Sequence, residues 1–189
     1  MTRRIGALLV LLALALLPAA AGAYWDYDMQ LALMDDELPE IYGTLNQRMA
    51  TRTGPATEYP EPGTFGAKGD RVRIISVTFD QNDVPWVQVD LRAGSKHMRV
   101  YTGFKRISGV SLNSIPREFN YGIEQTLTQD YEPMYGPGTN YSAYAYTLRK
   151  GRTVIVQDYE NGYAMCDFYS KSDGRWNRVW IPDRLLTAR

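Results

Sequence analysis

Thr53-Gly54-Pro55-Ala56-Thr57-Glu58-Tyr59 recurs 82 residues later as Tyr135-Gly136-Pro137-Gly138-Thr139-Asn140-Tyr141. The same offset carries Lys68-Gly69 onto Lys150-Gly151, and Val72 and Ile74 onto Val154 and Val156. Beyond a short hairpin, Trp86-Val87-Gln88-Val89-Asp90 matches Tyr163-Ala164-Met165-Cys166-Asp167, and Arg99-Val100-Tyr101 matches Arg178-Val179-Trp180. The order is kept and the gaps fall only in loops, so the chain contains two copies of one unit.

Each copy reads as short strands. Gly-Pro forces a turn, because glycine tolerates positive φ and proline fixes its own. A loop then runs to Lys-Gly, which turns into an alternating strand: Val72, Ile74 and Ser76 share one face, and Arg71, Arg73 and Ile75 the other. Asp80-Gln81-Asn82-Asp83 and Asp158-Tyr159-Glu160-Asn161-Gly162 supply hairpin turns. The next strand puts Val87 and Val89 on one face and Trp86, Gln88 and Asp90 on the other; in the second copy Ala164 and Cys166 oppose Tyr163, Met165 and Asp167. With 14 Tyr, 4 Trp and many Gly and Pro, the composition is that of an all-β protein. About five strands in some sixty residues must hide their edges, and closure into a small barrel is the expected solution.

Ala50-Thr51-Arg52-Thr53-Gly54-Pro55, Lys68-Gly69-Asp70 and Trp86-Val87-Gln88-Val89 resemble the bacterial SH3-like (SH3b) domains of secreted and cell-wall proteins. The closing segment from Arg99 to Arg106 is similar to that of such proteins in Gram-positive bacteria. The resemblance implies two tandem SH3-like barrels, over residues 45–108 and 128–187, joined by a linker at 109–127. The second copy departs from the family's opening, having Met134-Tyr135 where the first has Arg52-Thr53.

The amino terminus points to export. Arg3 and Arg4 precede an unbroken apolar run of 13 residues from Ile5 to Leu17, and Pro18 and the small residues Ala21-Gly22-Ala23 follow. This layout predicts a signal peptide over residues 1–23, cleaved after Ala23; an uncleaved anchor is the alternative. Residues 24–44 form an acidic leader with six Asp and Glu, read as a short helix packed on the first barrel or as a mobile leader. The linker is long enough to let the barrels move unless Phe119 and Tyr121 pin it. Without Arg3 and Arg4 the chain has 19 basic against 21 acidic residues, which leaves no electrostatic footprint for nucleic acid or an anionic membrane. Cys166 is the single cysteine, so an exported form folds without an intramolecular disulfide.

No catalytic constellation is legible. Cys166 takes the inward position of Val89 and reads as a small buried hydrophobe, and His97 lies in a polar loop of the other copy. Asp80-Gln81-Asn82-Asp83 lacks the glycine and distal glutamate of a calcium loop, so no metal site is assigned, and no cofactor is expected. The binding candidates are aromatic. Trp86 and Tyr163 hold equivalent outward positions, Tyr101 and Trp180 do likewise, and Tyr59 and Tyr141 sit in equivalent turn loops. Tyr144 lies in the second copy's tyrosine-rich loop with Tyr131, Tyr135 and Tyr146. Outward rings suit sugars or extended peptide, whereas the opposing reading packs them across strands or between copies. The expectation is a secreted or envelope-associated, non-catalytic binding module for cell-wall peptidoglycan or peptide; a rigid scaffold that binds another exported protein is the alternative.

Overall fold

Lys68-Gly69 and Lys150-Gly151 are where the two copies first reveal their shared backbone. Gly69 (φ +96) and Gly151 (φ +82) adopt the left-handed conformation that glycine accepts without strain, and their N–H groups donate to the carbonyls of Leu45 and Leu127, each at 2.8 Å. Each turn launches a long strand. The computed structural model describes residues 40–187; the signal peptide expected at 1–23, and the leader as far as residue 39, lie outside them.

The described chain is all-β. Its strands are β1 (Ile41–Leu45), β2 (Met49–Ala50), β3 (Thr64–Phe65), β4 (Arg71–Phe79), β5 (Pro85–Ala93), β6 (Lys96–Gly103), β7 (Ile107–Ser108), β8 (Ile123–Thr126), β9 (Thr153–Glu160), β10 (Tyr163–Ser170) and β11 (Arg175–Pro182). The first copy builds an antiparallel sheet in the order β6-β5-β4-β1-β7, the second a sheet in the order β11-β10-β9-β8, and β2 and β3 pair separately. Residues 41–44, read as the end of the acidic leader, belong to β1, and residues 123–126, read as linker, form β8.

The hairpins follow their turn chemistry. Asp83 (φ 58) closes the β4–β5 turn, and Asn161-Gly162 (φ 53 and 72) matches the twist of the β9–β10 strands. The register slips by one residue at Ile75 in β4 and at the equivalent Gln157 in β9. The slip sends Val77, not Ser76, to the face of Val72 and Ile74, where they pack with Leu45, Val87, Val89, Met98 and Val100. Val154, Val156, Ala164, Cys166, Val179 and Ile181 are the fully buried counterparts in the second copy.

Neither sheet closes on itself, so the edges are covered by other means. Arg52 and Tyr101 exchange backbone hydrogen bonds at 2.8 Å on the outer edge of β6, and Met134 and Trp180 do the same at 2.9 Å on β11. The segment read as a linker lies along β4 and β9. Val77 donates to Pro116 O at 2.8 Å, Glu118 to Val77 O at 2.9 Å and Tyr121 to Gln157 O at 2.9 Å, with Ile115 buried in the first core. It is tied down on both copies.

The repeated Gly-Pro turns have a different cause from the one expected. Gly54 and Gly136 do not have positive φ; instead the rings of Tyr59 and Tyr141 lie over them, and a Cβ there would fall 2.3 and 2.1 Å from ring carbons. Gly136→Ala is therefore expected to lower stability by about 1–3 kcal/mol in urea unfolding, through displacement of the Tyr141 ring.

Candidate functional site

Alternation along β5 and β6 sets Gln88, Asp90, Arg99 and Tyr101 on the face opposite the first core, with Arg99 directly across from Asp90 and Tyr101 across from Gln88. The same alternation in β10 and β11 presents Met165, Asp167, Arg178 and Trp180, with Arg178 across from Asp167. These faces meet. Gln88 Nε2 and Tyr101 Oη approach Met165 Sδ at 3.4 and 3.5 Å.

At the centre are two buried arginines. Arg99 forms a two-pronged pair with Asp90, Nε to Oδ1 at 2.9 Å and Nη2 to Oδ2 at 3.1 Å, and reaches Glu160 through Nη1. Arg178 pairs likewise with Asp167 at 2.7 and 2.8 Å and reaches Glu118. Each pair is completed by the tyrosine of the other copy's Gly-Pro loop. Tyr141 donates to Asp90 at 3.1 Å, and Tyr59 to Asp167 at 3.1 Å. The rings over each guanidinium are exchanged in the same way: Tyr141 and Trp180 face Arg99 at 5.7 and 5.6 Å, and Tyr59 and Tyr101 face Arg178 at 5.8 and 5.5 Å.

The electrostatics fit this arrangement. Burial lowers the acidity of Tyr59, Tyr101 and Tyr141, so their hydroxyls remain donors. Burial alone would pull Arg99 down, but Glu160 and Asp90 hold it charged. Asp158 forms no ion pair among the described residues, and the charge of Arg99 offsets its burial only in part. Burial pushes its carboxyl up to about 7 against the hydrogen bond from Tyr159 N–H, and Glu118 and Glu160 add to the rise.

The aromatic candidates thus divide unexpectedly. Trp86, Tyr101 and Trp180, expected as outward plates, are 8%, 1% and 3% exposed. Trp86 is held in its own hairpin, where Nε1 donates to Asp80 Oδ2 at 3.1 Å, and the other two lie in the contact between copies. Tyr59 and Tyr141 do sit in equivalent loops, folded onto the opposite copy. Tyr163 is half-buried at the start of β10, beside Tyr131. Cys166 is fully buried and its thiol is raised by burial, while His97, expected in a loop, lies in strand β6, stacked on Tyr141 with ring centres 4.0 Å apart.

Among the candidates, Tyr144 opens onto a groove between the copies. This hollow of about 290 Å³ is lined by Pro60 and Pro62 of the first copy and by Tyr135, Tyr144, Tyr146 and Phe168 of the second. Tyr146 stacks on Phe168 at 5.7 Å, Tyr135 meets Tyr144 edge-on at 5.0 Å, and Tyr144 donates to Asn177 Oδ1. Thr53, 3% exposed, also lines the groove, and its Oγ1 has no hydrogen-bond partner among the described residues.

A broken symmetry explains the opening. On β6, Arg99 N–H donates to Tyr135 O at 3.0 Å, Ser142 N–H to His97 O at 2.8 Å, and His97 N–H to Ser142 Oγ at 3.1 Å. The equivalents of Ser142, His97 and Arg99 are Pro60, Trp176 and Arg178. Proline has neither N–H nor hydroxyl, and among the described residues no backbone hydrogen bond joins the first copy's loop to Trp176 or Arg178. Trp180 N–H points outward to Met134, so by strand alternation those of Trp176 and Arg178 do too. The edge of β11 is therefore unpaired beside the groove. Phe168, Thr53 and Asn177 were not among the residues singled out from sequence; the mismatch of Pro60 with Ser142 in the repeat was the available signal.

Among the described residues no group of three or more His, Cys, Asp or Glu is placed to share a metal ion, and no helix is long and apolar enough to cross a membrane. No protein-family model matches the chain, and no curated protein matches it.

Arg178→Ala leaves Asp167 and Glu118 buried without their cation and is expected to cost about 3–5 kcal/mol in chemical unfolding. Asp158 holds its proton in the folded state up to about pH 7, whereas an unfolded aspartate loses it near 4. The folded state binds more protons between those values, so stability falls as pH rises through that window. Asp158→Asn is expected to be more stable than the parent by about 1–2 kcal/mol at pH 8 and level with it near pH 3, read by thermal unfolding.

Proposed function

We propose that this chain is an exported, non-catalytic binding module. In this reading its two copies are SH3-like barrels locked into one body, and the shared groove takes an extended peptide, carried by the cell wall or by another exported protein. Export rests on the charged, apolar and small-residue layout of residues 1–23, and the barrel assignment on the family resemblance of both copies. The observation that carries the ligand reading is the unpaired edge of β11 beside the rings of Tyr144, Tyr146 and Phe168. An extended peptide completes such an edge with main-chain hydrogen bonds, and alternate side chains enter the aromatic hollow. Thr53 Oγ1 offers one further donor or acceptor.

Purified cell-wall sacculi provide the direct test. The exported chain should be retained saturably, and the Tyr144→Ala, Tyr146→Ala pair should weaken retention by about tenfold or more. Hydrogen exchange of the bound protein should slow at the Trp176 and Arg178 amides, a signature of strand addition. Retention without that protection would overturn the strand-addition reading, and no retention of the parent would remove the cell-wall version.

A further inference from the structure

A second cleft, away from the groove, is lined by Tyr42, Arg71, Arg73, Arg92, His97 and Tyr141 and has a volume of about 430 Å³. Strand register makes the cluster: Tyr42 on β1 pairs with Arg73 on β4, Arg73 with Asp90 on β5, and Arg92 with His97 on β6. Among the described residues the charges are not neutralised. Both oxygens of Asp90, the carboxylate lining the cleft, are taken by Arg99 and Tyr141. Among the described residues no carboxylate lies within ion-pair distance of Arg71, Arg73 or Arg92, whereas Arg52 and Arg149 each have one and Arg99 and Arg178 each have two. Arg73 Nε is buried with no hydrogen-bond partner there, an unsatisfied charged donor of a kind that folded proteins rarely tolerate.

The walls are already ordered. The Arg71 guanidinium lies 3.7 Å from the centre of the Tyr42 ring, which fixes its plane and leaves its N–H groups free of that contact. His97 is stacked on Tyr141 and its Nδ1 is 3.3 Å from Asn140 O. The duplication supplies an internal comparison. The equivalent cleft of the second copy has Thr153, Ile155, Tyr169 and Trp176 where this one has Arg71, Arg73, Arg92 and His97. The fold therefore does not require the positive charge.

We infer that this cleft binds an oxyanion, phosphate or carboxylate, borne on a ligand of about sugar size. Planar guanidinium forks match both groups, and the flanking tyrosine rings suit a sugar face. The test is calorimetric titration of the full exported chain at low ionic strength with inorganic phosphate, glucose 6-phosphate and glucuronate in parallel. One-site binding of at least one probe is expected; preference for glucose 6-phosphate over glucuronate identifies a phosphate ligand, and the reverse a uronic acid. Arg73→Gln and the exposed Arg92→Gln should each weaken binding about tenfold, with Lys171→Gln in the equivalent cleft as the unchanged control. No saturable binding of any probe up to about 10 mM, or binding indifferent to Arg92→Gln, would overturn the inference.

Discussion

Two guanidinium groups buried against each other's copies set the terms for the rest of this molecule. Arg99 and Arg178 each receive a carboxylate fork from their own hairpin, but that satisfies only part of a five-donor group removed from water. The remaining contacts come across the repeat: Tyr141, Trp180 and Glu160 of the second copy for Arg99, and Tyr59 and Tyr101 of the first copy, with Glu118 of the connecting segment, for Arg178. A purely apolar contact would tolerate sliding; a two-pronged ion pair capped by a hydroxyl does not. The network therefore fixes one orientation of the two copies. The aromatic groove depends on that orientation, since its two proline walls and its tyrosine walls belong to different copies.

Much of the fold could be read from the chain because alternation is a local property. Val72 and Ile74, Val87 and Val89, and Ala164 and Cys166 were assigned inward faces from period two, and each is buried. The slips at Ile75 and Gln157 break that period, which is why Ser76 was placed with the core when Val77 belongs there. Strands β1 and β8 were missed because Ile41–Leu45 and Ile123–Thr126 are short, interrupted by glycine or charge, and gain strand structure only from the longer neighbour they pair with.

The site was less legible for a related reason. Alternation says which side of a sheet a residue occupies; it does not say what covers that side. Tyr101 and Trp180 were rightly put on the face away from their cores, yet that face meets the other copy and not water. Asp90, Arg99, Asp167 and Arg178, at matching positions, carried the missing information. An arginine and an aspartate opposed on neighbouring strands of each copy, beside a ring, describe a surface that can be buried only against another charged and aromatic surface. The repeat contains that surface twice.

Duplication also separates what holds the molecule together from what is free to differ. Gly54 and Gly136, Gly69 and Gly151, Tyr59 and Tyr141, and the two arginine–aspartate pairs are the same in both copies, and all take part in turns or in the contact between copies. Other positions differ, some within that contact (Gln88 against Met165, Tyr101 against Trp180) and some at the surface. Pro60 against Ser142 decides whether a strand edge is zipped or open, and Arg71, Arg73, Arg92 and His97 against Thr153, Ile155, Tyr169 and Trp176 decide whether a cleft is cationic or aromatic. None of these differences alters the paired strands beneath them. The two equivalent clefts thus share one backbone and differ in the side chains they present.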